Sequence, residues 1–407
     1  MKKSFLSILG PGLLFAGAAI GVSHLVQATK AGAEYGFGLV WALLIVHLFK
    51  YPFFKFGPKY AASTGESLLD GYLKLGKGYL MMYFFVNIVT MFTIQAAVTI
   101  VTASLATQLF GFSNNLVLWS TIILVALLII LIVGKYQLLD KLMKYIIVSL
   151  TISTLIAVFI AIYNNSASFS FVPFIPKEVA EISFLIAFLG WMPAPLDISI
   201  WHSLWSVEKN KSTTDKITVK KSVLDFNIGY IGTMILGLFF IILGALVMFN
   251  SNTELASSGS GFAIQLINLY TENLGDNFKL IIAIAAFTTM ISTTITTLDA
   301  SPRAMAKTTS LLFNNNSTLN YWFWLLFLTF GTFIILFFFL SNMILLVKIA
   351  TIFSFLTAPI FALLNYKLIT SKHTPKENHP NIFIKTLSYL GIIFLISFSG
   401  WYIFSIF

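Results

Sequence analysis

Apolar runs long enough to cross a lipid bilayer recur along the whole chain, and this recurrence constrains the fold more than any other feature. About 20 consecutive apolar residues span a hydrocarbon core as a helix. About eleven such runs can be drawn, near 6–30, 36–58, 78–108, 115–134, 143–163, 181–206, 222–249, 278–300, 319–340, 343–366 and 383–406. With 58% hydrophobic and only 10% charged residues over 407 positions, the chain has too little charge to stay dispersed in water. The expected class is therefore an all-α integral membrane protein in a single transmembrane domain. Absence of cysteine rules out disulfides, thiol chemistry and cysteine metal sites. "MKKSF" leads into a span that runs past residue 29 without a small-residue cleavage pattern, so no cleavable signal peptide is expected.

The net charge of +10 could suggest nucleic acid, but its distribution argues for topology instead. With the N-terminus in the cytoplasm, the Lys and Arg residues gather in cytoplasmic segments, as the positive-inside rule requires. Only Lys30, Lys177 and Lys279 fall on the other side, and only Lys50 and Lys348 within spans. The 250–277 segment is acidic or neutral apart from its edge, as expected of an outer loop. An odd number of spans places the C-terminus outside, and the expected location is the cytoplasmic (plasma) membrane.

Two spans are interrupted. The first carries "GVSH" (Gly21–His24) at its middle, and the sixth carries "GWMPAPLD", where Pro193 and Pro195 remove two backbone donors. Breaks five spans apart are the mark of an inverted repeat whose discontinuous helices meet at the bilayer midplane. The first repeat would cover 6–163, the second 181–366, and 383–407 would add an eleventh helix. Unwound backbone at membrane depth is tolerated where it lines a site or cavity. The competing explanation for either break alone is a kink that improves packing.

The residues around these breaks resemble the Nramp family of divalent-metal transporters. "GPGLLFAGAAIGVSHLVQATKAGAEYGFGLVW", with Gly10-Pro11-Gly12, "AGAEYG" at 31–36 and Trp41, is similar to that family's first helix. "ASTGESL" at 62–68, "MP" at 192–193, "WHS" at 201–203 and "ISTTITTLDASPRAM" at 291–305 resemble later family segments. The resemblance implies a LeuT-like inverted 5+5 repeat with broken helices 1 and 6, and transport by alternating access. It also implies departures. The family's helix 1 motif Asp-Pro-Gly-Asn falls on Gly21, Val22, Ser23 and His24, so the metal-binding aspartate is missing. In helix 6, Met192 keeps the thioether ligand if the register is set from Met-Pro, whereas setting it from His202 puts Pro195 there. The family's helix 3 acids have no counterpart, since no Asp or Glu lies between 71 and 139; proton coupling is expected to be weak or absent.

The candidate substrate-binding residues are Ala18, Gly21, Ser23, His24, Met192, Ala194 and Asp197, with His24, Met192 and Asp197 as metal ligands. Of the fifteen acids, only Asp197 lies close to a midplane break. An intramembrane carboxylate reads as functional, although an acid in the first turn after Pro195 also suits the helix dipole. His24 could bind a transition metal as neutral imidazole, attract an anion as imidazolium, or simply pack. Lys50 could snorkel to the cytoplasmic face or place a fixed cation beside the pathway. His202 is a candidate relay. Asp299 and Arg303, four apart, suit a gating or structural ion pair.

A divalent ion usually finds carboxylates to offset its lost hydration, and this chain offers at most Asp197. The expected function is transport of a small inorganic ion: a divalent metal by resemblance, or a small anion such as bicarbonate by residue chemistry. A non-transporting sensor or scaffold is the third reading. No catalytic constellation is visible, so no enzyme, cofactor or nucleic-acid partner is expected.

Overall fold

A computed structural model describes residues 10–164, 172–212, 217–249, 263–268, 271, 279–313, 317–339 and 343–406. The N-terminal lysines Lys2 and Lys3, Lys216 and most of the 250–277 segment lie outside the described residues.

Helix α1 (Pro11–Ala19) starts where the Gly-Pro-Gly sequence requires it to. Pro11 stands at the first helical position, where its missing N–H costs nothing. The amides of Gly10 and Gly12 donate to the two carboxylate oxygens of Asp225, at 3.1 and 2.7 Å. The acid thus sits at the positive end of the helix. Any side chain at Gly12 would collide with the backbone oxygen of Asp225.

α1 stops at Ala19. Ile20 leaves the helical region (φ −82°, ψ 88°), and the chain resumes as a π turn (Ser23–Ala28) followed by α2 (Thr29–Tyr35). The two halves are bent by 47°. α2 closes on Gly36, whose φ of +56° few side chains tolerate.

α3 (Val40–Thr64) follows, then the short α4 (Leu68–Leu75), α5 (Lys77–Phe110) and α6 (Leu116–Asn164). The second interrupted unit is α7 (Val179–Trp191) and α8 (Ile198–Ser212), separated by residues 192–197. Next come α9 (Val219–Val247), α10 (Lys279–Phe313), α11 (Ser317–Phe339), α12 (Met343–Ile369) and α13 (Ile382–Ile406). α2 and α9 approach closely through Gly32 and Gly244: a methyl on either would strike the other helix's backbone. Small residues at such crossings are how membrane helices gain contact without a water-driven hydrophobic effect.

Among the described residues, seven helices are long and apolar enough to cross a membrane, or eight with the bent α1–α2 pair. The sequence suggested about eleven. The additional segments are the α7–α8 pair, Val148–Tyr163 and the threonine-rich α10. One expectation differs in form. The apolar runs near 115–134 and 143–163 read as two spans, whereas the backbone is helical throughout Leu116–Asn164. The intervening stretch has no proline and carries Leu138, Leu139 and Leu142 at helical spacing, so nothing local breaks it.

The outer surface of the bundle is apolar, unlike that of a water-soluble protein. Phe330, Phe337, Ile393 and Phe404 are exposed, whereas Thr293, Thr294, Thr296 and Thr297 of α10 are buried. Outward apolar side chains meet lipid, and inward hydroxyls serve the interior.

Candidate functional site

The two breaks border one small internal cavity. It is lined by Ala18, Ala19, Val22 and Ser23 from the first break and by Trp191, Pro195, Ile198 and Trp201 from the second. α5 contributes Ile94 and Val98, and α10 contributes Thr293 and Thr297. The centre of a water-sized sphere can move through ≈ 20 Å³ of it, which is room for about one water or one bare ion.

The broken end of α1 is held from a distance in sequence. Without a break, Gly17 and Ile20 carbonyls would accept from the amides of Gly21 and His24. Those amides instead bond Ala19 and Gly21. The Thr293 hydroxyl lies 3.1 Å from both stranded carbonyls. Gly21 is needed there, because a side chain would overlap Thr293. The single Ser23 proton is shared between Ala19 O at 2.5 Å and His24 Nδ1 at 2.7 Å, and Thr297 donates to Gln95 Oε1 at 2.7 Å. The hydroxyl protons of Ser23, Thr293 and Thr297 are thus directed into the protein. What these three side chains retain for a solute is lone pairs.

At the second break, Trp191 is fixed by its indole N–H donating to Ser354 at 2.8 Å. Pro193 has no N–H for Leu189 O, and Pro195 has none for Trp191 O. Lys50 fills this gap. Its ammonium, fully buried, lies 2.7 Å from Leu189 O, 2.8 Å from Gly190 O, 3.1 Å from Met192 O and 3.3 Å from Ala194 O. Lys50 therefore does not snorkel.

Asp197 precedes α8, and its carbonyl accepts from Ile200 N at 2.8 Å. Its side chain is buried and its Oδ1 has no hydrogen-bond partner among the described residues. Among the described residues no ion pair joins it to Lys50, whose ammonium lies against backbone carbonyls instead.

His24 is buried with both ring nitrogens engaged: Nδ1 is 2.7 Å from Ser23 Oγ and Nε2 2.9 Å from Thr233 O. In this conformation neither nitrogen is open to a solute. Met192 Sδ and the His24 ring both approach Gly237 on α9, and neither residue lines the cavity. Ala18 and Ser23 line the cavity; Gly21, Met192, Ala194 and Asp197 are not among its lining residues. No group of three or more His, Cys, Asp or Glu side chains converges as a metal cage among the described residues.

His202 packs against the rings of Phe15 and Phe226, each 5.7 Å away, with neither ring nitrogen partnered among the described residues. Asp299 and Arg303 form a two-armed pair at 2.7 and 3.1 Å, joined by the Tyr321 hydroxyl at 2.8 Å. Arg303 lines a second, larger pocket of ≈ 310 Å³ with Asp70 and Lys307, which pair at 2.7 Å.

Some site residues were not legible in the sequence. Thr293 lies in a run of threonines with nothing to single it out. Trp201, whose indole N–H lacks a partner among the described residues, sits beside the noticed His202. Outside the cavity lining, Tyr83 and Asn87, one turn apart on α5, are buried with polar atoms unpartnered among the described residues.

A family model, "natural resistance-associated macrophage protein-like" (Nramp), matches residues 12–405. The chain belongs to the Nramp family. An uncharacterised protein of Pasteurella multocida is 37% identical over 400 residues, covering 96% of this chain and 90% of that protein. The divalent metal cation transporter MntH of Staphylococcus aureus is 27% identical over 272 residues, covering 62% and 58% of the two chains. Among solved structures, the Eremococcus coleocola manganese transporter superposes with a TM-score of 0.74 at 15% identity, covering 98% of this chain and 87% of its own. MhsT in complex with L-phenylalanine gives 0.65 at 15% identity, covering 100% and 99%. These neighbours share the fold, that of Nramp and LeuT-like transporters. The chain is an integral membrane protein of a transporter family.

Proposed function

We propose that this Nramp-family protein carries one small inorganic cation, a divalent metal first among candidates, by alternating access through the cavity between its two broken helices. One observation carries the reading most strongly. The hydroxyl groups lining that cavity have their protons committed to the protein, so Ser23, Thr293 and Thr297 can offer oxygen lone pairs. Family membership and the names of the manganese and divalent-metal relatives support the same class. Asp197 would supply the carboxylate when the second break rearranges, since its Oδ1 is already unpartnered. Asp299–Arg303 and Asp70–Lys307 would form the ionic closure at the end of the bundle facing the cytoplasm. The inverted repeat and the orientation with the N-terminus inside belong to the same proposal.

A second reading, a small anion, is favoured by a different observation. The buried Lys50 ammonium at the second break supplies positive charge, and Trp201 in the cavity lining supplies an N–H unpartnered among the described residues. Uptake into proteoliposomes separates the two. Manganese uptake that disappears in Asp197→Asn supports the cation. Uptake of bicarbonate or chloride that survives Asp197→Asn but is lost in Lys50→Met supports the anion. Flux of neither contradicts both.

A further inference from the structure

The contacts of Lys50 go beyond relieving a break. In a continuous helix, the carbonyls of Leu189, Gly190 and Met192 would accept from the amides of residues 193, 194 and 196. Position 193 is proline, and the turn taken by residues 192–197 carries the other two amides away. Four carbonyl oxygens from residues 189, 190, 192 and 194 converge on one point instead. That point lies at the negative end of α7. A convergence of backbone carbonyls at a half-helix C-terminus is how discontinuous membrane helices coordinate monovalent cations.

Its spacing defines what it can hold. The distances from the Lys50 nitrogen run from 2.7 to 3.3 Å. Magnesium requires oxygens at about 2.0–2.1 Å and calcium at about 2.3–2.6 Å. The cage is therefore too wide for either, and suits ammonium or a large monovalent ion. An ammonium has three N–H groups for these four oxygens, so at least one is shared. All four partners are neutral carbonyls, a set that would hold a free cation equally well. The stem of Lys50 is itself fully buried, so the charge arrives from α3 through protein and not through water.

We propose that the carbonyl cage at the broken end of α7 is a monovalent-cation site that the chain fills with its own side chain, Lys50. The tethered cation makes the shape of the second break independent of sodium or potassium in solution. The cavity beside it remains the place for the transported ion. This inference stands on the cage geometry and does not require the transport reading.

The test uses thermal unfolding of the full chain purified in detergent, in choline, potassium or ammonium chloride at equal ionic strength. The wild type should melt at the same temperature in all three, because its cage is filled. Lys50→Ala empties the cage and leaves space. It should melt several degrees lower in choline and recover most of that loss in ammonium, with partial recovery in potassium. Lys50→Met fills the space with an uncharged chain. It should be destabilised by a similar amount and respond to none of the salts. The proposal is overturned if Lys50→Ala shows no preference for ammonium or potassium over choline, if it yields no folded protein even in ammonium, or if Lys50→Met or the wild type shows the same preference. Because melting is read without any flux, a protein that transports nothing could still show the rescue, and a working transporter could fail to.

Discussion

Thr293→Val removes one hydroxyl from the point where the broken first helix meets α10 and leaves the side-chain volume nearly unchanged. The hydroxyl lies 3.1 Å from both Gly17 O and Ile20 O, which have lost their helical partners. It carries a single proton, so these two contacts and a longer one of 3.4 Å to Thr289 O of its own helix count as one shared hydrogen bond. Such a bond contributes a net of about 0.5–1.5 kcal/mol in proteins, and about 0.6 kcal/mol on average between membrane helices. Stranding a buried carbonyl pushes the cost towards the upper part of that range. The expected loss is about 1 kcal/mol, roughly a fivefold change in the unfolding constant. Thr289→Val is the matched control. It makes the same chemical change one turn earlier on the same helix, but its hydroxyl donates to Ala285 O of its own helix, a second bond on a carbonyl α10 already uses. That variant should stay within a few tenths of a kcal/mol of wild type. Reversible unfolding in mixed detergent micelles measures both. Equal losses in the two variants, or none in Thr293→Val, would refute the claim that Thr293 caps the break.

Other consequences follow from the same geometry. Asp225→Asn removes the charge that accepts from Gly10 and Gly12 and should cost about 1–2 kcal/mol in the same unfolding assay. Gly244→Ala drives a methyl into the backbone of α2 and should cost about 1–3 kcal/mol, whereas Gly232→Ala, with open space around it, should be neutral. Arg303→Lys keeps the charge but loses the two-armed grip on Asp299 and the contact with the Tyr321 ring, 5.2 Å away. A loss of about 1 kcal/mol is expected there; unchanged stability would show that a point charge suffices.

What the sequence revealed, and what it hid, divides along a physical line. Local chain chemistry was readable. Pro193 and Pro195 cannot donate, so the second interruption is visible in the letters, and Gly21 marked the first. The four-residue spacing of Asp299 and Arg303 announced their pair. Partnerships between distant helices were not readable. The acceptors of Lys50 are backbone carbonyls, which have no sequence signature, so its role was open between snorkelling and a fixed charge. The engagement of His24 by Thr233 depends on how α9 packs against the π turn. Thr293 caps a helix more than 270 positions away, and no pattern within a threonine run could select it. The continuity of α6 is hidden for the opposite reason: basic residues between two apolar runs look like a loop, although their neighbours favour helix.

The absence of cysteine makes the central claim directly testable. Ala18→Cys places one thiol in the lining of the cavity between the breaks. Manganese uptake by proteoliposomes of this variant is measured before and after treatment with a small methanethiosulfonate reagent. Abolished uptake, together with slower modification in the presence of manganese, is the predicted result. Undiminished uptake after complete modification would mean that the ion does not pass between the two broken helices.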